Sequence, residues 1–141
     1  MIQKTVSLLR QCHDAPLFLI RLVLAYGFFN PAITKAQDIH SVADWFESLH
    51  IPLPLFNAYL STGTELLGVV LLSTGLFTRF IAIPLMITML VAIKTVHGAN
   101  GFEAANNGFE IPLYYLLMLL SLMVFGAGRL SLDHLIFKGK I

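Results

Sequence analysis

Four apolar stretches, roughly 16–36, 55–77, 79–97 and 111–127, fill most of this 141-residue chain. Each is close to the ~20 residues a helix needs to cross the ~30 Å hydrocarbon core of a bilayer. In lipid, a single segment can satisfy its own backbone polar groups only as a helix. The expected fold is therefore all-α: an antiparallel bundle of four transmembrane helices forming one integral membrane domain over 1–141. Composition agrees, because the chain is 57% hydrophobic and 12% charged, against about 45–50% and about 25% in soluble domains.

Charges within such stretches are the informative residues, since an ionisable group in hydrocarbon must be paired, wetted or drawn to the headgroups. Arg21, Lys35, Arg79 and Lys94 fall near predicted helix ends, where a long side chain snorkels to the interface at little cost. Glu65 starts about ten residues, or ~15 Å, from the outer end of the second helix and has no such reach. With both termini in the cytoplasm, Lys4, Arg10, Arg21, Arg79, Arg129, Lys138 and Lys140 fall inside and only Lys35 and Lys94 outside, as the positive-inside rule demands. Asp38, Asp44, Glu47, Glu103 and Glu110 then gather on the outer side.

Several function classes are excluded by what the chain carries. A net charge of +1 without a basic stripe argues against nucleic acid as a partner. The single cysteine, Cys12, forms neither an internal disulfide nor a C-x-x-C pair. Lys4 and Arg10 ahead of the first stretch resemble a signal sequence, but the stretch is longer than an h-region and lacks an A-x-A site, so it reads as a retained span. No H-E-x-x-H, phosphate-binding or dinucleotide motif occurs. Haem needs paired axial ligands at matching depth, whereas His13 and His134 fall on the cytoplasmic side, His40 and His50 in an interfacial segment and His97 at a helix end. No intrinsic cofactor or metal is expected.

Periodicity assigns faces. Asp14 and Pro16 are start signals for the first helix, whose Tyr26, Asn30 and Thr34 form a polar stripe expected to face protein rather than lipid. Pro31 suggests a late kink. Ile39, Val42, Ala43, Phe46 and Leu49 recur at helical spacing opposite Asp38, Ser41, Asp44 and Glu47. With Trp45 among them, 38–50 reads as an outer interfacial helix between helices one and two, ended by Pro52 and Pro54. The second span places Asn57, Ser61, Glu65, Gly68 and Leu72 on one side, so Glu65 points into the bundle. The short link near 75–78 makes helices two and three antiparallel neighbours, 97–109 is a Gly- and Asn-rich outer loop, and Gly126 with Gly128 stops the fourth helix.

Taken in order, Glu65-Leu-Leu-Gly68, Gly75-Leu-Phe-Thr-Arg79, Met89-x-x-Ala92 leading to His97, Gly101-Phe102, Gly108-Phe-Glu110 and Gly126-x-Gly128-Arg129-x-Ser131-Leu132-Asp133 resemble the DoxX family. Ala32 stands where that family usually has glycine, and Ala127 where many members have proline. The resemblance implies a four-helix bacterial inner-membrane protein. The family's name comes from a small subunit associated with a terminal quinol oxidase and with thiosulfate:quinone oxidoreduction, which makes a quinone the implied ligand.

The expected site is a polar pocket in the outer half of the bundle, formed by Glu65, Lys94, His97 and Glu110 and bridged by Tyr26 and Asn30. Glu65 there either exchanges protons with a redox ligand or is a structural acid paired with Lys94 or with hydroxyls. Lys94 and His97 share a helix face and either hold an anionic headgroup or quinone oxygen, or snorkel and cap the helix. Arg79, Arg129 and Asp133 are expected to form a structural clasp on the cytoplasmic side. The leading functional expectation is an accessory subunit of a quinone-linked or redox-protective system, not catalytic alone. It would sit in the lipid bilayer with redox enzyme subunits or further copies of itself. A small transporter or channel component using Glu65 and a scaffold recruiting a soluble enzyme are the alternatives.

Overall fold

The computed structural model describes residues 14–137. Lys4, Arg10, Cys12, His13, Lys138 and Lys140, on which parts of the charge asymmetry and the thiol and haem arguments rest, lie outside that range. The described residues form six α-helices and no strand: α1 Asp14–Gln37, α2 Ile39–Ser48, α3 Pro54–Thr74, α4 Thr78–Ala92, α5 Glu110–Phe125 and α6 Leu132–Phe137. α4 continues through a wider, π-helical turn at Ile93–His97 and a tighter turn at Gly98–Asn100, so helix is unbroken from Thr78 to Asn100.

Three of these helices, Asp14–Gln37, Pro54–Thr74 and Thr78–Asn100, are long and apolar enough to cross a membrane. α5 is shorter than expected: its 16 residues rise about 24 Å, less than the ~30 Å core. It stops at Phe125 because Gly126 and Gly128 take φ of +82° and +76°, a left-handed backbone that ends a helix. The outward surfaces carry Leu19, Val23, Phe29, Phe80 and Val124 exposed, an apolar cover that water would penalise and lipid accepts.

α1 packs on α3 and α5, α3 on α4, and α4 on α5, while α2 lies against α3. Leu24 and Phe28 from α1, Leu72 from α3, Leu85 from α4 and Leu119 and Leu122 from α5 meet in the core. Gly68 permits the close approach of α3 and α4, since a Cβ there would stand 2.9 Å from a Leu85 methyl carbon. The expected inward stripe of Tyr26, Asn30 and Thr34 is corrected: all three are exposed, Tyr26 at 76%. The buried face of α1 is Leu17, Arg21, Leu24, Phe28 and Ala32 instead. Bulk decides the face, because Phe28 packs edge-on to Tyr115 with ring centroids 5.5 Å apart.

α2 falls within the expected 38–50 segment, and Asp38 caps it. Its carboxylate accepts hydrogen bonds from the Ser41 hydroxyl at 2.6 Å and the Ser41 amide at 3.1 Å. Those bonds, the hydroxyl's first, hold the Asp38 carboxyl below its ordinary range. The cap is therefore fully present above about pH 4 and is lost as pH falls further.

At the end of the bundle carrying the α3–α4 turn, here the turn end, two side chains depart from expectation. Arg21 is fully buried rather than snorkelling. It donates from Nη1 to the Leu72 carbonyl at 3.1 Å and from Nη2 to the Leu130 carbonyl, which places its charge where the α3 dipole favours a cation. Gly75, at φ +68°, makes room for it, because a Cβ would lie 2.2 Å from Arg21 Nη1. Asp133 does tie the turn to the tail, but without Arg79. Its carboxylate accepts from the Phe77 amide at 2.7 Å and the Thr78 amide at 3.1 Å, capping α4. Arg79 reaches the Val124 carbonyl at 3.4 Å, and the Arg129 amide donates to Asp14 at 2.9 Å. The clasp uses backbone amides because four donors at a helix start need acceptors more urgently than an exposed arginine needs a partner.

Gly75→Ala is expected to destabilise the protein by about 1–3 kcal/mol, combining backbone strain with displacement of Arg21, whereas Gly101→Ala, where the Cβ meets nothing, should cost less. Asp133→Ala should cost about 1–2 kcal/mol through the lost cap, and Arg79→Ala no more than about 0.5 kcal/mol. Thermal unfolding in a mild detergent ranks all four.

Candidate functional site: a lysine-lined cavity at the loop end

The opposite end, where α2 and the 98–109 loop lie, is organised by one ion pair. Glu65, 2% exposed and in the middle of α3, receives Lys35 from the last turn of α1 with Nζ 2.6 Å from Oε1. The sequence reading that Glu65 points inward holds, and its partner is Lys35 rather than Lys94. α3 and α1 pack directly, so the lysine reaches across one helix contact. Glu65 Oε2 and the neighbouring Thr62 Oγ1 are both buried without a hydrogen-bond partner. The carboxylate thus has one oxygen engaged and one available.

Beside this pair, a cavity of about 650 Å³ opens between α2, α3 and α4. Lys35 lines it. α2 and the segment after it supply Trp45, Phe46, Leu49 and His50, α3 supplies Leu60, Ser61 and Thr64, and α4 with its wider turn supplies Ile87, Thr88, Val91 and Lys94. The lining is largely apolar, with hydroxyls and two ammonium groups set into it, the composition of a pocket for a small amphiphile. The volume lies within the range of about 300–1,000 Å³ typical of ligand sites.

Of the residues expected to converge here, Lys94 lines the cavity and Glu65 stands behind Lys35. His97 and Glu110 are engaged elsewhere. His97 Nδ1 lies 2.9 Å from the Asn107 carbonyl oxygen. Glu110 accepts from the Ala104 amide and the Tyr114 hydroxyl, both at 3.0 Å. Both therefore fold the loop onto its helices, where Phe102 also packs edge-on to Phe109. Tyr26 and Asn30 face outward and bridge nothing in the cavity. The expected convergence overlooked how much the loop's own backbone needs acceptors. Among the described residues no group of three or more His, Cys, Asp and Glu side chains is placed to hold a metal ion.

Lys35 and Trp45 are the site residues that sequence patterning did not mark. Lys35 looks like an ordinary helix-end cation, and Trp45 like an interfacial anchor. The available signal was Ala32, wholly buried three residues before Lys35, which puts the lysine on the edge of the inward face.

A sequence profile of the DoxX family matches residues 16–98. A Haemophilus influenzae protein described as uncharacterized is 36% identical over 126 residues, covering 86% of this chain and 83% of the relative. A Bacillus subtilis protein named "Putative oxidoreductase CatD" is also 36% identical, over 124 residues, covering 86% of this chain and 87% of the relative. The Mycobacterium tuberculosis "Uncharacterized membrane protein Rv3486" is 32% identical over 130 residues, covering 84% and 80%. No solved structure matches significantly.

Lys35→Met should destabilise the protein by about 3–5 kcal/mol, the usual consequence of stranding one partner of a buried pair. Replacing both partners, Lys35→Met with Glu65→Met, should recover most of that loss, and Lys94→Met should change little. Unfolding midpoints of the three variants check the assignment, and a Lys94 effect as large as that of Lys35 would refute it.

Proposed function

Since the chain belongs to the DoxX family of membrane proteins, we propose that it is an accessory subunit of a quinone-linked or redox-protective membrane system, and that the loop-end cavity receives a quinone-like amphiphile. One observation carries this reading: Lys35, whose ammonium group is held at 2.6 Å by a buried carboxylate, lines a largely apolar cavity. A flat ring with an apolar tail needs that combination of apolar walls and a polar end. Lys35 has three N–H donors and spends one on Glu65, so others remain for a ring oxygen. Glu65 Oε2 lacks a partner and is the atom at which a proton would be held. The part played by this chain is then to orient a ligand and to keep a proton beside it, with electrons supplied by a partner subunit. The name of the Bacillus subtilis relative is consistent with a redox setting.

The same reading includes a topology. Arg21, Arg79 and Arg129 belong to the turn end, while Asp38, Asp44, Glu47, Glu103 and Glu110 belong to the loop end, an asymmetry that supports a turn end on the cytoplasmic side of a bacterial inner membrane. Both termini are then cytoplasmic, α5 completes a fourth crossing, and α2 lies in the outer interface. The wholly buried Leu24, Leu72, Leu85 and Leu119 lie between the two polar ends and favour a closed pocket over a path through the membrane.

Trp45, the only tryptophan of the chain, lines the cavity and is a built-in reporter. Menadione added to the protein in mild detergent should quench its emission saturably. Glu65→Gln keeps the shape of the site and should weaken that binding by about tenfold, with a smaller loss of unfolding midpoint than Lys35→Met because the stranded Lys35 is partly exposed and can be hydrated. Quenching that never saturates, or that Glu65→Gln leaves untouched, would sink the quinone reading.

A further inference from the structure

The cavity wall is electrically one-sided. Lys35 and Lys94 both line it together with His50, and no carboxylate is among its lining residues. Lys35 is offset by Glu65 from behind. The exposed side chain of Lys94 has no hydrogen bond or ion pair among the described residues, so its ammonium group stands at the cavity border without a counter-charge. An anionic group at that border would find a donor and a counter-charge together.

The backbone beneath Lys94 is also unusual. Ile93–His97 forms a π-helical turn, a form rare in proteins and concentrated at functional sites. Its effect is visible in the lining, where three successive residues, Lys94, Thr95 and Val96, border the cavity. In a regular α-helix successive side chains point about 100° apart, so such a run would not share one wall. The wider turn coincides with the stretch that contributes Lys94 to the cavity border.

We propose that this cavity selects an acidic amphiphile, one whose anionic head is held by Lys94 while its apolar body lies along Leu60, Ile87 and Val91. The inference rests on the ligand-pocket reading above and adds the charge of the ligand: among quinone-like molecules, the site takes an ionised form in preference to a neutral one.

Two ring-matched probes separate the ideas. Menadione is neutral, whereas lawsone carries a hydroxyl in place of its methyl and is an anion at neutral pH. Titrated against Trp45 emission in a neutral detergent, lawsone should bind about tenfold more tightly than menadione. Lys94→Gln should reduce that preference to about twofold or less, and Lys94→Arg should retain it. Lys94 is exposed, so neither substitution disturbs packing. Equal saturable binding of both probes, or a lawsone preference that survives Lys94→Gln, overturns the charge selection and leaves the quinone pocket standing. Failure of both probes to quench saturably overturns the pocket and the selection together.

Discussion

A carboxylate in the middle of a membrane helix cannot remain charged without a counter-charge, and in this protein that requirement sets the geometry of one whole end. Glu65 draws Lys35 across the α1–α3 contact to 2.6 Å, which fixes how the last turn of α1 meets the middle of α3. Immediately after Lys35 the chain leaves α1 at Gln37, and Asp38 starts α2. α2 then lies on α3, so the pair also determines where the roof of the cavity sits. Packing alone would not hold that register, because lipid is as apolar as the leucines it contacts and helices in it gain little from apolar burial.

The two ends meet the same constraint by different means. At the loop end, side chain meets side chain, with one carboxylate oxygen and a neighbouring hydroxyl left unpartnered. At the turn end, the buried side chains meet mainly backbone: Arg21 binds two carbonyls and Asp133 two amides, with a long, exposed Arg129–Asp14 ion pair at 3.7 Å beside them. There the polar side chains Arg21 and Asp133 are committed to holding the α3–α4 turn and the tail together. Among the described residues, the loop end combines an unpartnered carboxylate oxygen, two lysines and a cavity of ligand size. This contrast is the physical reason to assign chemistry to one end and structure to the other.

Much of this was legible in the sequence, and the failures share a cause. The inward direction of Glu65 followed from Gly68 and Leu72 on its face, and those two residues are indeed buried with it. The helix within 38–50 followed from its alternation of apolar and acidic residues. What could not be read was which charge belongs to which. Lys35 and Lys94 are equivalent as sequence, both near outer helix ends, and only the crossing of α1 over α3 distinguishes them. The outward face of Tyr26, Asn30 and Thr34 was misread because the rule that polar groups face protein yields to volume, and Phe28 needed the space beside Tyr115. The clasp was misassigned for a related reason. Arginine and aspartate in one neighbourhood suggest an ion pair, while the strongest demand there came from unpaired amides at the start of α4.

Arg21 has an implication for how the chain comes to be built. Its guanidinium is closed over by the Leu130 carbonyl, 109 positions later in the chain, and by the turn that Asp133 holds in place. A ribosome releases α1 long before either arrives, so in the nascent protein this cation stands beside an unfinished socket and is drawn towards headgroups. Synthesis of the final segment is what allows it to move inward. A chain truncated before residue 130 would leave Arg21 with the Leu72 carbonyl alone, so the segment after α5 completes the socket of a residue laid down in α1.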